Sequence, residues 1–173
     1  ILVDFTQDAI YPRASSKVTL EFSNPIDMNT VNEQSIYING ISNLNIDPIS
    51  DTEFEITSPE GYPANSDLEL IITPVLRDNL NKSFDGNEDG DPSGGDDINT
   101  YTIQTKLLAD FDGDNSIGIA DLDLFKIGWN TNDPNFETAP VLESFGQGAD
   151  SAQFILNEDE QYNIDDLMTF VRM

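Results

Sequence analysis

The chain contains no cysteine and no histidine, and only 7 of its 173 residues are lysine or arginine. Without those two side chains there is no disulfide, no thiolate nucleophile, no zinc site of the usual Cys/His kind and no histidine triad or general base. The lack of cysteine leaves the redox compartment open, because a secreted bacterial protein of this size can do without disulfides. Long hydrophobic runs are missing too. None reaches the roughly 18 residues that span a bilayer, and no basic segment leads into an apolar stretch at the start. Membrane insertion is therefore not expected. The abrupt opening at Ile1-Leu2-Val3-Asp4-Phe5 and the stop at Val171-Arg172-Met173, inside a helical pattern, are expected of a piece cut from a longer chain.

What is abundant is negative charge: 33 aspartates and glutamates give a formal net charge of −26. Such a surface repels phosphate backbones and anionic lipid, so nucleic acid and membrane surfaces are not expected partners. Cations are the natural counterpart. A generally acidic surface kept for solubility, in a salty habitat for example, would explain the same total, and only clustering of the carboxylates separates the two readings. A pair of carboxylates could also hydrolyse a glycoside. Hydrophobic residues make up 38% of the chain, with ten Phe, five Tyr and one Trp, which is enough apolar material for real cores. The length allows one large or two small domains.

From Ile1 to about Thr105, short alternating or β-branched runs are separated by Pro, Asn, Asp, Ser and Gly, as in an all-β sandwich. Strands are expected at Ile1–Phe5, Lys17–Phe22, Ser35–Ile38, Leu44–Ile46, Glu53–Thr57, Leu68–Ile72 and Thr100–Thr105. In the second of these, Val18, Leu20 and Phe22 share one face and Thr19 and Glu21 the other. After Lys106 the apolar spacing becomes three and four. Ile119, Leu122, Phe125 and Trp129 form one helical stripe, and Ile164, Leu167, Met168 and Val171 another. Between them, Asn130 to Phe154 reads as a connecting loop anchored by Val141 and Leu142. Phe22, Tyr37, Phe54 and Trp129 are expected as core or lid rather than as a sugar-stacking platform, and Tyr11, Tyr62 and Tyr101 do not cluster in sequence.

The acidic residues are clustered at a telling spacing. Calcium takes six to eight oxygens, and an EF-hand loop presents them at positions 1, 3, 5, 7, 9 and 12, the seventh through its backbone carbonyl. In the run Asp110 to Asp121, Asp110, Asp112 and Asp114 fill positions 1, 3 and 5, Ser116 gives the carbonyl and Asp121 closes the loop. Ile117 is the apolar pin at position 8. Asn115 replaces the usual turn Gly, which Asn tolerates because it accepts a left-handed conformation, and Gly118 leaves position 9 to water. A second match runs from Asp85 to Asp96, with Asp85, Asn87, Asp89 and Asp91 at positions 1, 3, 5 and 7, Gly90 at the turn and Asp96 at position 12. It lies between strands, so a flexible acidic hairpin tip is its alternative reading. A third, degenerate match puts Ile155 at position 1, Asn157 at 3, Asp159 at 5, the Gln161 carbonyl at 7, Asn163 at 9 and Asp166 at 12. Its alternative is a helix N-terminus whose aspartates favour the macrodipole.

A loop without a preceding helix, followed by a short helix and then repeated, resembles the dockerin module, whose two loop–helix units bind calcium and dock onto cohesin domains. Asp110 to Trp129 corresponds to the first unit and Asn157 to Met173 to the second. Positions 10 and 11, which often help choose the cohesin in that family, are Ile119 and Ala120, then Ile164 and Asp165. The earlier part resembles bacterial Ig-like domains of the surface-layer type, in which a strand ends in Phe-Ser-x-Pro-(Ile/Met)-Asp. Here the run is Phe22-Ser23-Asn24-Pro25-Ile26-Asp27-Met28, followed by Thr30-Val31-Asn32 and the strand from Ser35 to Ile38. The turn that precedes the last strand of that family is replaced or extended by the loop from Asp85 to Asp97.

The expected fold class is thus mainly β: an Ig-like β-sandwich over residues 1–105, then a small α-helical, dockerin-like loop–helix pair over 106–173. The resemblances imply a non-catalytic, calcium-binding module pair of an exported multimodular protein, extracellular or at the cell surface. Its partner would be a cohesin-like domain in a polysaccharide-degrading or surface complex. The rival expectation is a structural adhesin or filament subunit whose partners are copies of itself.

Overall fold

The computed structural model describes residues 2–6, 8–93, 97–143, 154–156 and 158–173. Two compact units share the chain. One consists of Ile1–Asp8, Lys17–Pro59 and Asp67–Ile103, the other of Ala9–Ser16, Glu60–Ser66 and Gln104–Met173.

The first unit is built from strands β1 (Leu2–Phe5), β2 (Val18–Phe22), β3 (Ile36–Ile38), β4 (Asn45–Pro48), β5 (Glu53–Thr57), β6 (Asp67–Ile72) and β7 (Asn99–Gln104). One sheet has the order β1-β2-β5-β4 and the other β3-β6-β7. The antiparallel register sets Leu20 opposite Phe54 and Val18 opposite Ile56, so the apolar positions of neighbouring strands fall on one face. Val18, Leu20, Phe22, Phe54 and Ile56 are buried on the first sheet, and Ile36, Ile38, Leu68, Leu70 and Ile72 on the second. The Phe22 and Phe54 rings meet edge to face at 5.8 Å. Each such side chain taken from water contributes about 1.5–3 kcal/mol. Pro48, which cannot donate to a ladder, sits on β4 at a sheet edge, where no donor is required. The chain is therefore mainly β, with two sheets that each have one apolar face, as a sandwich needs.

The second unit carries α1 (Ile119–Thr131), β8 (Val141–Glu143), β9 (Phe154–Leu156) and α2 (Ile164–Arg172). Phe125 and Phe170 join the helices, their rings stacked at 4.9 Å, and Phe111 adds to the cluster against Phe136 at 5.2 Å and Tyr11 at 6.0 Å. The Tyr11 hydroxyl accepts the Ala109 N–H at 3.0 Å, and burial pushes its pKa far above the ordinary phenol range.

Two expectations need correction. The stretch from Asn130 to Phe154 is more than a connecting loop. It holds a 3-10 turn at Pro134–Phe136 and the strand β8, which pairs antiparallel with β9. Val141 does serve as an anchor, packing on Ala64, Leu108 and Leu156. The side chain of Leu142 lies outside the described residues. The helical stripes, moreover, are only partly turned to the core: Phe125 is buried, but most of their other members are exposed. Ile119 is 81% exposed, Trp129 39% and Val171 72%, while the buried faces are Asp121, Phe125 and Gly128 on α1 and Asp166, Thr169 and Phe170 on α2. The reason lies at the start of each helix. Asp121 and Asp166, in the third helical position, turn inward to accept backbone N–H groups of their loops, and the residues three, four and seven further on must follow onto that face.

Candidate metal-binding loops

The loop from Asp110 to Asp121 is organised around its first and last carboxylates, both buried. Asp110 Oδ1 accepts the N–H groups of Gly113 at 2.8 Å and Asp114 at 3.1 Å, and its Oδ2 that of Asn115 at 3.0 Å. Asp121 Oδ1 accepts from Phe111 at 2.7 Å and Asp112 at 3.2 Å, and its Oδ2 from Gly118 at 2.7 Å, which also caps α1. Asp112 Oδ1 accepts from the Asp114 N–H and Asp114 Oδ1 from the Ser116 N–H and hydroxyl. Positive φ at Gly113 (78°) and Asn115 (65°) folds the loop tightly enough for this. One carboxylate oxygen from each of Asp110, Asp112 and Asp114 lies within 4.8 Å of the others. With no nitrogen or sulfur donor among them, that set suits a hard cation.

The loop beginning at Asp85 repeats the pattern. Asp85 Oδ2 accepts the Gly90 N–H at 2.9 Å, as Asp110 does that of Asn115, and Asn87 Oδ1 and Asp89 Oδ1 accept the N–H groups of Asp89 and Asp91. Positive φ falls again on the fourth and sixth residues, Glu88 (63°) and Gly90 (88°). Asp91 Oδ1 accepts the Ser93 N–H at 3.2 Å and the Ser93 hydroxyl at 2.6 Å. Asp96, expected at position 12, lies outside the described residues. The carboxylate brought to within 4.8 Å of Asp85 and Asp89 is that of its neighbour, Asp97, which the loop spacing did not single out.

The third loop differs most from expectation. Ile155, aligned with position 1, belongs to β9, and Asn157 lies outside the described residues. Glu137 takes the place of the missing first carboxylate. Its Oε1 accepts the N–H groups of Asp159 at 2.6 Å and Glu160 at 3.0 Å, where Asp110 accepts those of Asp114 and Asn115, and Glu160 has the positive φ (58°) that Asn115 has in the first loop. Asp166 Oδ1 accepts from Thr138 at 3.1 Å and Ala139 at 3.0 Å, and its Oδ2 from Asn163 at 3.0 Å, matching the three donors to Asp121. Thr138 and Ala139 thus stand at positions 2 and 3. The loop is interrupted: residues 140–157 intervene between its third position and Glu158. Asp159 Oδ1 accepts the Gln161 N–H, the Gln161 carbonyl accepts from Asn163 Nδ2, and Asn163 Oδ1 caps α2 through the Asp165 N–H. Sequence spacing cannot find Glu137, because the β8–β9 pair stands between the two halves.

Glu137 and Asp166 are both buried. Burial, with the nearby charges of Asp166 and Asp159, pushes the Glu137 carboxyl up to about 7 against the pull of the Asp159 N–H. Beside this loop Arg13 donates to Asn135 Oδ1 at 3.0 Å and lies 3.6 Å from Glu158.

On the outer side of the two helices, Leu122, Phe125, Lys126, Trp129, Asn130 and Leu167 line a shallow, largely apolar cavity of about 300 Å³. Ile164 and Met168 are also exposed on α2. Among the described residues no helix is long and apolar enough to cross a membrane.

No protein-family model matches the chain, and no curated protein matches it. Among solved structures, an L,D-transpeptidase from Mycobacterium smegmatis aligns at 16% identity and a TM-score of 0.39, over 62% of this chain and 40% of that one. The chain thus spans less than half the length of that structure.

Proposed function

We propose that the chain is a non-catalytic pair of modules from an exported protein: a β spacer unit and a dockerin-like loop–helix unit that binds calcium and docks onto a cohesin-type protein partner. The observation that carries this reading is the loop from Asp110 to Asp121, where three carboxylate oxygens converge within 4.8 Å on a backbone already folded around them. The repeat of its hydrogen-bond pattern around Glu137 and Asp166 supports a second, interrupted loop with oxygens from Glu137, Asp159 and the Gln161 carbonyl. Calcium acts here through folding, since clustered carboxylates repel until the ion neutralises them. Docking falls to the apolar outer face around Leu122, Trp129 and Leu167, left exposed because the loops turn the opposite face inward.

Calcium titration followed by circular dichroism and thermal melting tests the metal half of this reading. Calcium at about a hundred times its dissociation constant stabilises by about 2.7 kcal/mol, a rise of about 5–10 °C in melting temperature for a chain of this size. Identical melts in calcium and in excess chelator would sink it. Concentration-dependent assembly on calcium addition would instead favour a self-associating surface filament.

A further inference from the structure

Lys106 stands beside the loop that opens shortly after it at Asp110. Its backbone is pinned on both sides: the N–H donates to the Ile10 carbonyl at 2.9 Å, and the carbonyl accepts the Asn65 N–H at 2.9 Å. The side chain is half-buried, and its ammonium lies 3.5 Å from the point where a Cβ on Gly113 would stand. Gly113 sits between Asp112 and Asp114, and its N–H donates to Asp110 Oδ1 at 2.8 Å. The ammonium therefore rests against the stretch of backbone that carries the three converging carboxylates.

Positive charge is scarce in this chain, with 7 Lys and Arg against 33 Asp and Glu. The ion pairs among the described residues are Arg13 with Glu158, Lys17 with Glu55 and Lys126 with Asp123. Lys106 is in none of them. Its charge acts on the loop as a whole rather than on one carboxylate. Asp110, Asp112, Asp114 and Asp121 repel one another without metal, and a neighbouring ammonium offsets part of that repulsion. The same ammonium repels a divalent cation entering the loop.

We propose that Lys106 is a resident counter-ion of the loop from Asp110 to Asp121, which steadies the loop without metal and lowers its affinity for calcium. The loop then responds at a higher calcium concentration than its carboxylates alone would set. This inference rests on the reading of that loop as a calcium site. Lys106 is a tuning residue here and not a ligand, because its ammonium has no lone pair to offer the ion.

Calorimetry of calcium binding to the full chain at low and high salt tests this on Lys106→Met, Lys106→Gln and Lys106→Arg. Asp110→Asn identifies the ion that this loop holds, and Lys17→Met removes the same charge from the β unit. Lys106→Met and Lys106→Gln should bind that ion roughly three- to tenfold more tightly at low salt. Added salt should shrink the gain. In chelator both should melt at a lower temperature than the parent. Lys106→Arg keeps the charge and Lys17→Met removes a remote one, so each should stay within about twofold of the parent's affinity. Unchanged or weaker affinity in either neutral variant that folds, or a parent-like melt in chelator, overturns the proposal. An equal gain in Lys17→Met also overturns it, by tracing the effect to net charge. If Asp110→Asn removes an ion in those cases, the calcium reading of the loop stands. If it removes none, that reading and this proposal fall together.

Discussion

Glu137 Oε1 lies 2.6 Å from the backbone nitrogen of Asp159, 22 positions further along the chain. That bond stands where, in the first loop, Asp110 accepts from Asp114 four positions away. The same local geometry is thus reached once by a continuous loop and once by two segments folded together, and the difference shapes how the two loops should respond to change.

In the metal-free chain the Glu137 carboxyl should make stability depend on pH. Its folded value, about 7, lies above the ordinary value of 4.5, with burial the main cause. The folded state therefore holds a proton that the unfolded state releases between these limits. Stability from this group is complete below the lower value and is lost as pH rises through about 7. Melting in chelator from pH 4.5 to 7.5 should show Glu137→Gln gaining on the unsubstituted chain as pH rises. Parallel curves would show that Glu137 is not the titrating group. Calcium should remove the parent's loss of stability with rising pH by favouring the ionised form of Glu137, and should stabilise Glu137→Gln less.

Asp110→Ala removes the acceptor for the N–H groups of Gly113, Asp114 and Asn115. Even without metal this should cost about 1–3 kcal/mol. Calcium should no longer raise the melting temperature through this loop. Retention of the full calcium-induced rise would count against Asp110 as a ligand.

Gly128→Ala sets two effects against each other. Alanine is favoured over glycine in a helix interior by about 1 kcal/mol. Its Cβ, however, would run into the Phe136 ring, and overpacking of this kind costs about 1–3 kcal/mol. The steric cost should win, giving a lower melting temperature. A rise would mean that the 3-10 turn at Pro134–Phe136 yields easily.

Phe125→Ala empties the centre of the aromatic cluster, where Phe125 meets Phe170 at 4.9 Å and Trp129 at 5.8 Å. It should cost about 3–5 kcal/mol, and Trp129 fluorescence should shift because its ring neighbour is gone. Leu122→Ser, on the exposed face of the same helix, should stay within about 0.5 kcal/mol of the parent. Equal losses in the two variants would overturn the assignment of buried and exposed faces.

Much of the β unit was legible because alternation of side chains is a local property. Strands expected at Lys17–Phe22 and Leu68–Ile72 occur at Val18–Phe22 and Asp67–Ile72, and the one at Glu53–Thr57 matches to the residue. The loop at Asp110 was legible for a similar reason, since its carboxylates and the N–H groups they accept lie within one short run. Loop spacing points to Asp96 and does not single out Asp97, whose carboxylate the fold brings to within 4.8 Å of those of Asp85 and Asp89.

The helices show where such reading stops. Periodicity placed them near Ile119 and Ile164, but an apolar stripe says only that one face differs from another. Which face is buried was settled by Asp121 and Asp166, whose backbone acceptor roles pull Phe125 and Phe170 inward and leave Trp129 and Val171 outside. The sequence by itself determined the alternating strands, the acidic loops and their oxygen-only chemistry, since each depends on residues adjacent along the chain. Only the tertiary structure decided that Glu137 completes the third loop and that Asp97 joins Asp85, because those contacts depend on segments brought together by strand pairing and packing.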